Sequence, residues 1–247
     1  MAKLFEKPQT KEKPRYISHR GFQMLAPENS LPSFFYAGYL RQWAIETDVH
    51  ATRDGVLVCC HNASTSHYNE DLVIKENDWS VLRQLHIREG ERLECFTEEE
   101  LRLPLFSEYL AICKRFGSIP FIELKSENAA EVMDAVYEAG LAEDEVVIST
   151  GKLEWLEDTR KAASEVFLHW IFAKEEGLEK LASLGNAGLS WDIPNAFECP
   201  PEKIELVKNM GLKVCLRAGD SVASVRHMFE LGLDYIPTNR MHGVLLD

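Results

Sequence analysis

The chain has 247 residues, of which 45% are hydrophobic and 27% charged; this suits one large soluble domain with a full core. A formal net charge of -13 sets it against phosphate backbones and anionic lipid surfaces, so nucleic acid and polybasic membrane binding are excluded on charge. No window approaches the roughly 18 apolar residues of a membrane span, and the lysine-rich start has no apolar run of signal-peptide length, so the expectation is a cytoplasmic protein with no stable membrane insertion.

Residues 16–19 read as a short buried strand that ends in His19-Arg20-Gly21. Pro27-Glu28-Asn29-Ser30 then opens a helix at 31–41, with Asn29 and Ser30 read as caps and Pro32 in the first turn. A second strand, 44–49, leads to a turn at Asp54-Gly55 and a strand-like stretch at 56–60 that ends in His61. Residues 62–102 form a long excursion with a small helix around 79–85. From there helices alternate with strands: helix 104–116, strand 119–124, helix 129–139, strand 145–149, helix 152–163, strand 166–172, helix 175–184, strand 187–191, helix 201–209, strand 212–216, helix 222–231 and strand 234–237. Several helices stop at a glycine suited to a C-cap, among them Gly117, Gly140, Gly185, Gly211 and Gly232.

Eight strands alternating with helices in one domain of this length make an α/β fold with a parallel sheet, and a closed (β/α)8 TIM barrel over residues 1–247 matches both the count and the length. An open doubly wound sheet is disfavoured because no GxGxxG or GxxxxGK loop follows a strand. The last helix of the barrel is expected to be missing or very short. The six cysteines show no CxxC pair or metal-type spacing and are read as reduced.

In a barrel the chemistry sits at the carboxyl ends of the strands. The second strand reads Ala44-Ile45-Glu46-Thr47-Asp48-Val49 and the third Phe121-Ile122-Glu123-Leu124-Lys125. Alternation puts Glu46 and Asp48 on one face, and Glu123 and Lys125 on one face. The two acids of the second strand are equally well explained as salt-bridged strand ends. Adding Glu123 shifts the balance, because three carboxylates buried together repel, and a divalent cation resolves the conflict. An all-oxygen set suits Ca2+ or Mg2+ rather than Zn2+. His19 and His61 both end strands beside this cluster, as a general base and a general acid for a phosphodiester would. Arg20 and Lys125 supply fixed positive charge for phosphoryl oxygens and offset the acidic background.

Of the other histidines, His67, His86, His227 and His242 are read as surface or loop residues, His50 as a side chain near the pocket, and His169 as a core histidine. Trp191 ends the sixth barrel strand, where it serves equally to pack against a glycerol or choline-like group or to cover the core. Arg217 is a candidate for a second anionic group or for a surface ion pair.

His19-Arg20-Gly21, Pro27-Glu28-Asn29-Ser30, Glu46-Thr47-Asp48-Val49, Thr52-Arg53-Asp54-Gly55, His61 and Ile122-Glu123-Leu124-Lys125 together resemble the glycerophosphodiester phosphodiesterases. The matching blocks run from residue 16 to about 125. The resemblance implies a TIM barrel and a divalent ion at Glu46, Asp48 and Glu123. It implies paired acid/base histidines at His19 and His61, phosphate contacts from Arg20 and Lys125, and release of glycerol 3-phosphate and an alcohol from a small-molecule phosphodiester. Three departures alter the pocket wall: Asn62 stands where the family usually has aspartate, the seventh strand ends Leu216-Arg217-Ala218, and the eighth ends Thr238-Asn239-Arg240. Two alternatives stay open. One is a lysophospholipase D-like activity, with an acyl channel supplied by Leu72, Val73, Ile74, Trp79, Leu82 and Leu85. The other is a barrel that binds a phosphoryl ligand without turnover. The sequence leaves open the leaving alcohol and whether the barrel forms a homo-oligomer.

Overall fold

Tyr16–Ser18 (β1) is a three-residue buried stave, and the chain builds a barrel around it in a computed structural model that describes residues 3–6, 9–10 and 13–242. Leu31–Tyr39 (α1) leads to Ala44–Ala51 (β2), from which Leu57–Cys59 (β3) folds back antiparallel. After the excursion, which contains Trp79–Leu82 (α2), Phe106–Phe116 (α3) returns the chain to Ile119–Leu124 (β4). Then follow Ala129–Glu138 (α4), Val147–Thr150 (β5), Leu153–Ala162 (α5), Phe167–Trp170 (β6), Leu178–Ser183 (α6), Ala187–Ser190 (β7), Pro201–Asn209 (α7), Lys213–Cys215 (β8), Val222–Glu230 (α8) and Ile236–Thr238 (β9).

The barrel staves run β8-β7-β6-β5-β4-β2-β1-β9, all parallel, with β3 attached outside the ring to β2. The ring closes between its two end staves without a regular ladder. Asp234 N donates to Val214 O at 2.9 Å, Gly219 N donates to Pro237 O at 2.9 Å, and the Asp234 carboxylate accepts from Val214 N at 3.0 Å. The expected TIM barrel is therefore present, with every strand and helix of the sequence reading recovered to within a few residues. The expectation of a missing final helix falls on residues 243–247, outside the described residues.

Alternation sorts the side chains into separate cores. Ile17, Phe121, Val147, Phe167, Cys215 and Tyr235 fill the barrel, and Phe5 caps its amino end against Phe167 and Tyr235. The outward side chains, among them Ile45, Ile122, Ile148, Leu168, Leu189 and Val214, pack under the helices. The excursion has its own core of Val58, Tyr68, Ile74, Leu82, Leu85, Ile87, Leu101 and Leu103.

Two local devices fix the staves around β1, β2 and β4. Gly21 sits at φ +80°, and a Cβ there would stand 2.3 Å from Ser33 Oγ, so only glycine lets the chain turn from β1 under α1. The buried Tyr109 hydroxyl of α3 donates to Ile45 O at 2.6 Å and accepts from Phe121 N at 3.0 Å, tying β2 to β4 from outside. Tyr109→Phe leaves both backbone groups without this partner in a dry setting. It is expected to lower the unfolding free energy by about 2 kcal/mol in a urea titration; a loss under about 0.5 kcal/mol would show that the hydroxyl does not tie these strands.

Candidate active site

The carboxyl ends of the staves open into a pocket of about 590 Å³. One side is charged and made by His19, Arg20, Glu46, His61, Glu123 and Lys125; the other is largely apolar, with Ile171, Phe172, Pro194 and Leu216, and Arg217 at its edge. The strand register explains the charged side. β2 and β4 align Asp48 with Glu123 and Glu46 with Phe121, so the acids of both strands face inward together.

Glu46, Asp48 and Glu123 each bring one carboxylate oxygen within 4.8 Å of the others. Burial and then the neighbouring charges of Asp48 and Glu123 hold the Glu46 carboxyl well above its ordinary value. Burial and the charge of Asp48 push Glu123 up to about 7. Asp48 is as buried, but Lys125 and Arg20 outweigh the burial and hold it below its ordinary value. A cluster of hard oxygens in which two members resist ionisation fits a divalent cation, which supplies the missing countercharge.

Two cations reach the cluster from the protein. Lys125 Nζ lies 2.8 Å from Asp48 Oδ1 and 2.5 Å from Glu123 Oε1. Arg20, in the left-handed region at φ 56°, gives its backbone N–H to Glu46 Oε2 at 2.7 Å and places Nε 3.6 Å from Asp48 Oδ2. Its Nη1 donates to both oxygens of Glu28 at 2.9 and 3.0 Å. Glu28 thus holds the guanidinium in place.

Both imidazoles line the same pocket. His19 Nδ1 lies 2.9 Å from Asn239 Oδ1, and His61 Nδ1 lies 3.0 Å from Asn62 Oδ1. Burial, and next the charge of Arg20, lower the His19 pKa, which favours its neutral form. Asn62 thus keeps the orienting bond that an aspartate would make there, without the charge.

Trp191 is not brought to the pocket. On β7, Gly188 and Ser190 face the barrel interior, so Leu189 and Trp191 turn outward into the helix-facing core, where Lys203 Nζ stands 4.4 Å from the indole. The candidate acyl-channel side chains are likewise elsewhere: Ile74, Leu82 and Leu85 are buried in the excursion's core with Leu72 and Trp79 against them, and none of the six lines the pocket. His50 Nε2 sits 3.5 Å from the carbonyl oxygen of His61. His169, its pKa pushed down to about 3 by burial, bonds Tyr235 Oη at 2.6 Å and forms part of the pocket floor. Arg217 lies at the pocket edge over Phe172 and pairs with Asp192 at 2.8 Å, which is the ion pair expected of it.

Asn29 does not cap the helix expected after it. Ser30 alone takes that role, its Oγ accepting from Ser33 N. Asn29 is fully buried, donates Nδ2–H to Asp48 Oδ2 at 2.9 Å and accepts from Thr47 Oγ1 at 2.7 Å, so it aims an acid of the cluster. Sequence reading marked Asn239 only as part of an altered strand end and missed Gln23 and Asp220; Gln23 bonds His19 O from four residues on, whereas Asn239, backed by Asp220, meets His19 only when the barrel closes.

The sequence profile described as the glycerophosphoryl diester phosphodiesterase family matches residues 19–242. A glycerophosphodiester phosphodiesterase of Caldanaerobacter subterraneus subsp. tengcongensis is 26% identical over 233 residues, covering 90% of this chain and 93% of that protein. The crystal structure of a glycerophosphodiester phosphodiesterase from Agrobacterium tumefaciens superposes with a TM-score of 0.79 at 22% identity, covering 94% of this chain and 98% of that one. A phosphodiesterase of Oleispira antarctica, solved with the product sn-glycerol-3-phosphate, gives 0.78 at 23% identity, covering 92% and 93%.

The acid cluster has a measurable pH signature. Folded Glu123 keeps its proton up to about 7, whereas the unfolded carboxyl releases it near 4.5. The native state therefore binds more protons in that window, and stability without added metal is full below it and falls as pH rises through it. A divalent cation replaces the proton, so the gain in melting temperature on adding Ca2+ or Mg2+ is expected to grow between pH 5 and pH 8. An equal gain at both values would separate cation binding from these carboxyls.

Proposed function

The chain belongs to the glycerophosphoryl diester phosphodiesterase family, and we propose that it hydrolyses small glycerophosphodiesters to glycerol 3-phosphate and an alcohol, with the activity carried by one barrel domain. The observation that carries this reading is a cluster of three carboxylates, two of which line one pocket together with two imidazoles and two fixed cations. Glu46, Asp48 and Glu123 would hold a divalent cation, Ca2+ or Mg2+. When bound, it supplies positive charge to the phosphoryl group and lowers the cost of adding negative charge there.

The remaining work falls to side chains. Arg20 and Lys125, each already facing Asp48, direct the phosphoryl oxygens toward the acid cluster, where their charges are shared rather than spent on the carboxylates alone. His19, held neutral by burial, takes the proton of the glycerol hydroxyl adjacent to the phosphoester as that oxygen attacks phosphorus. His61 gives a proton to the departing alcohol oxygen as its bond to phosphorus breaks. The product of this step is a five-membered cyclic phosphate. In the second step water attacks, His61 takes the water proton and His19 returns its proton to the ring oxygen, which yields glycerol 3-phosphate and restores both imidazoles.

Neither alternative gains support. An acyl-bearing substrate needs an apolar channel, and of the side chains offered for it five are packed in or against the excursion's own core while Val73 is exposed. A silent binding barrel has no need for His61 to be oriented, yet Asn62 Oδ1 accepts from His61 Nδ1 while Asn62 Nδ2 donates to Ser66 Oγ at 3.1 Å.

His19→Ala and His61→Ala are each expected to lower release of glycerol 3-phosphate from glycerophosphodiesters by at least about a hundredfold, with circular dichroism and melting temperature close to the parent. Chelation is expected to abolish release, and added Ca2+ or Mg2+ to restore it. Turnover that survives chelation or either substitution would overturn the scheme.

A further inference from the structure

Asn239 leaves β9 at the barrel seam and faces two neighbours. On one side its Nδ2 donates to Asp220 Oδ2 at 2.6 Å and its backbone N donates to Asp220 Oδ1 at 2.8 Å. Thr238 Oγ1 donates to the same Oδ1 at 3.2 Å. On the other side Asn239 Oδ1 lies 2.9 Å from His19 Nδ1 and accepts from Gln23 Nε2, also at 2.9 Å. Rotating the carboxamide by 180° would set an amide oxygen against a carboxylate oxygen at 2.6 Å and an amide nitrogen against the Gln23 donor. Only one orientation pairs every donor with an acceptor.

We infer that Asp220, which does not line the pocket, is a positioning residue that sets the tautomer of His19 through Asn239. An amide oxygen only accepts, so His19 Nδ1 must carry the hydrogen. That leaves the lone pair on Nε2, the atom a general base needs. The relay spans the carboxyl ends of three staves, β8, β9 and β1, and Gly219 N–H···O=C Pro237, beside Asp220, is one of the bonds that close the ring. Closing the barrel and orienting the base are thus done by the same pair of loops. His61 has a lighter version: its carboxamide partner Asn62 is backed by the Ser66 hydroxyl in place of a carboxylate.

The inference rests on the catalytic reading of His19, and the isosteric variant Asp220→Asn tests it. The backbone N–H of Asn239 and the Thr238 hydroxyl still require an acceptor, so the new amide must turn its oxygen to them and its NH2 to the Asn239 side chain. Two NH2 groups then face each other, and Asn239 is relieved by rotating, provided Gln23 turns its amide oxygen to the rotated NH2 and gives up the bond from its Nε2 to His19 O. That presents its NH2 to His19 Nδ1 and moves the imidazole hydrogen to Nε2. Long-range 1H–15N correlation spectra of the imidazoles, with His19 identified by its loss in His19→Ala, read this directly.

The expected result is Nδ1–H on His19 in the parent, Nε2–H in Asp220→Asn, a mixture in Asp220→Ala, and an unchanged His61 signal in all three. In kinetics, Asp220→Asn is expected to lower kcat at least about tenfold with KM within about twofold. An Asp220 that merely braces the seam would lower the melting temperature and leave the tautomer alone. Nε2–H on His19 in the parent, or a folded Asp220→Asn protein with the parent spectrum and kcat, overturns the inference; the parent spectrum decides even if a variant fails to fold. The spectra need no substrate, so a parent protein inactive on glycerophosphodiesters would contradict the proposed function separately.

Discussion

Three carboxyl groups set side by side at the mouth of a barrel cannot all ionise unless positive charge stands among them. The β2–β4 register forces Asp48 and Glu123 into adjacent positions, and Glu46 follows two residues before Asp48 on the same face. Nearly everything nearby answers that repulsion. Lys125 bridges Asp48 and Glu123, Arg20 brings both its guanidinium and its backbone N–H, and Asn29 gives an amide hydrogen to Asp48. The compensation is incomplete, since Glu46 and Glu123 remain reluctant acids. On the proposed function that residual demand is met by a dication, whose charge would in turn hold the phosphoryl oxygens.

The same constraint explains how an acidic protein accommodates an anionic substrate. Its net charge of -13 is spread over the molecule, whereas the pocket concentrates Arg20 and Lys125 where the phosphoryl group would rest. The two imidazoles are held differently from these charges. Each is oriented by a neutral carboxamide, Asn239 or Asn62, so neither gains a carboxylate that would raise its basicity through direct contact. For His19, burial and next the charge of Arg20 outweigh the bond from Asn239, which favours the charged ring, and hold the pKa below its ordinary value.

Much of this was legible in the sequence because it is periodic. Short apolar staves alternate with amphipathic helices, and Glu46/Asp48 and Glu123/Lys125 share faces by simple parity. Trp191 shows the limit of parity reading: at a strand end, one residue separates a pocket wall from the outer core, and Ser190 rather than Trp191 faces inward. Asn29 was hidden for another reason. In sequence it stands beside a helix start, and Ser30 does cap that helix, but its side chain reaches 19 positions along the chain to Asp48. The Asp220–Asn239–His19 line was out of reach altogether, because it joins opposite ends of the chain and exists only after the last stave meets the first. The excursion's hydrophobic residues, channel-like in sequence, mostly make a second core, a distinction that depends on how the segment folds on itself.

Anomalous diffraction from crystals grown with Mn2+ and glycerol 3-phosphate would test the central claim most directly. The account predicts one strong peak bonded to an oxygen of each of Glu46, Asp48 and Glu123, with the phosphoryl group beside it and in reach of His19 and Lys125. A peak that leaves these three carboxylates unbonded, or a phosphoryl group seated away from them, would contradict it.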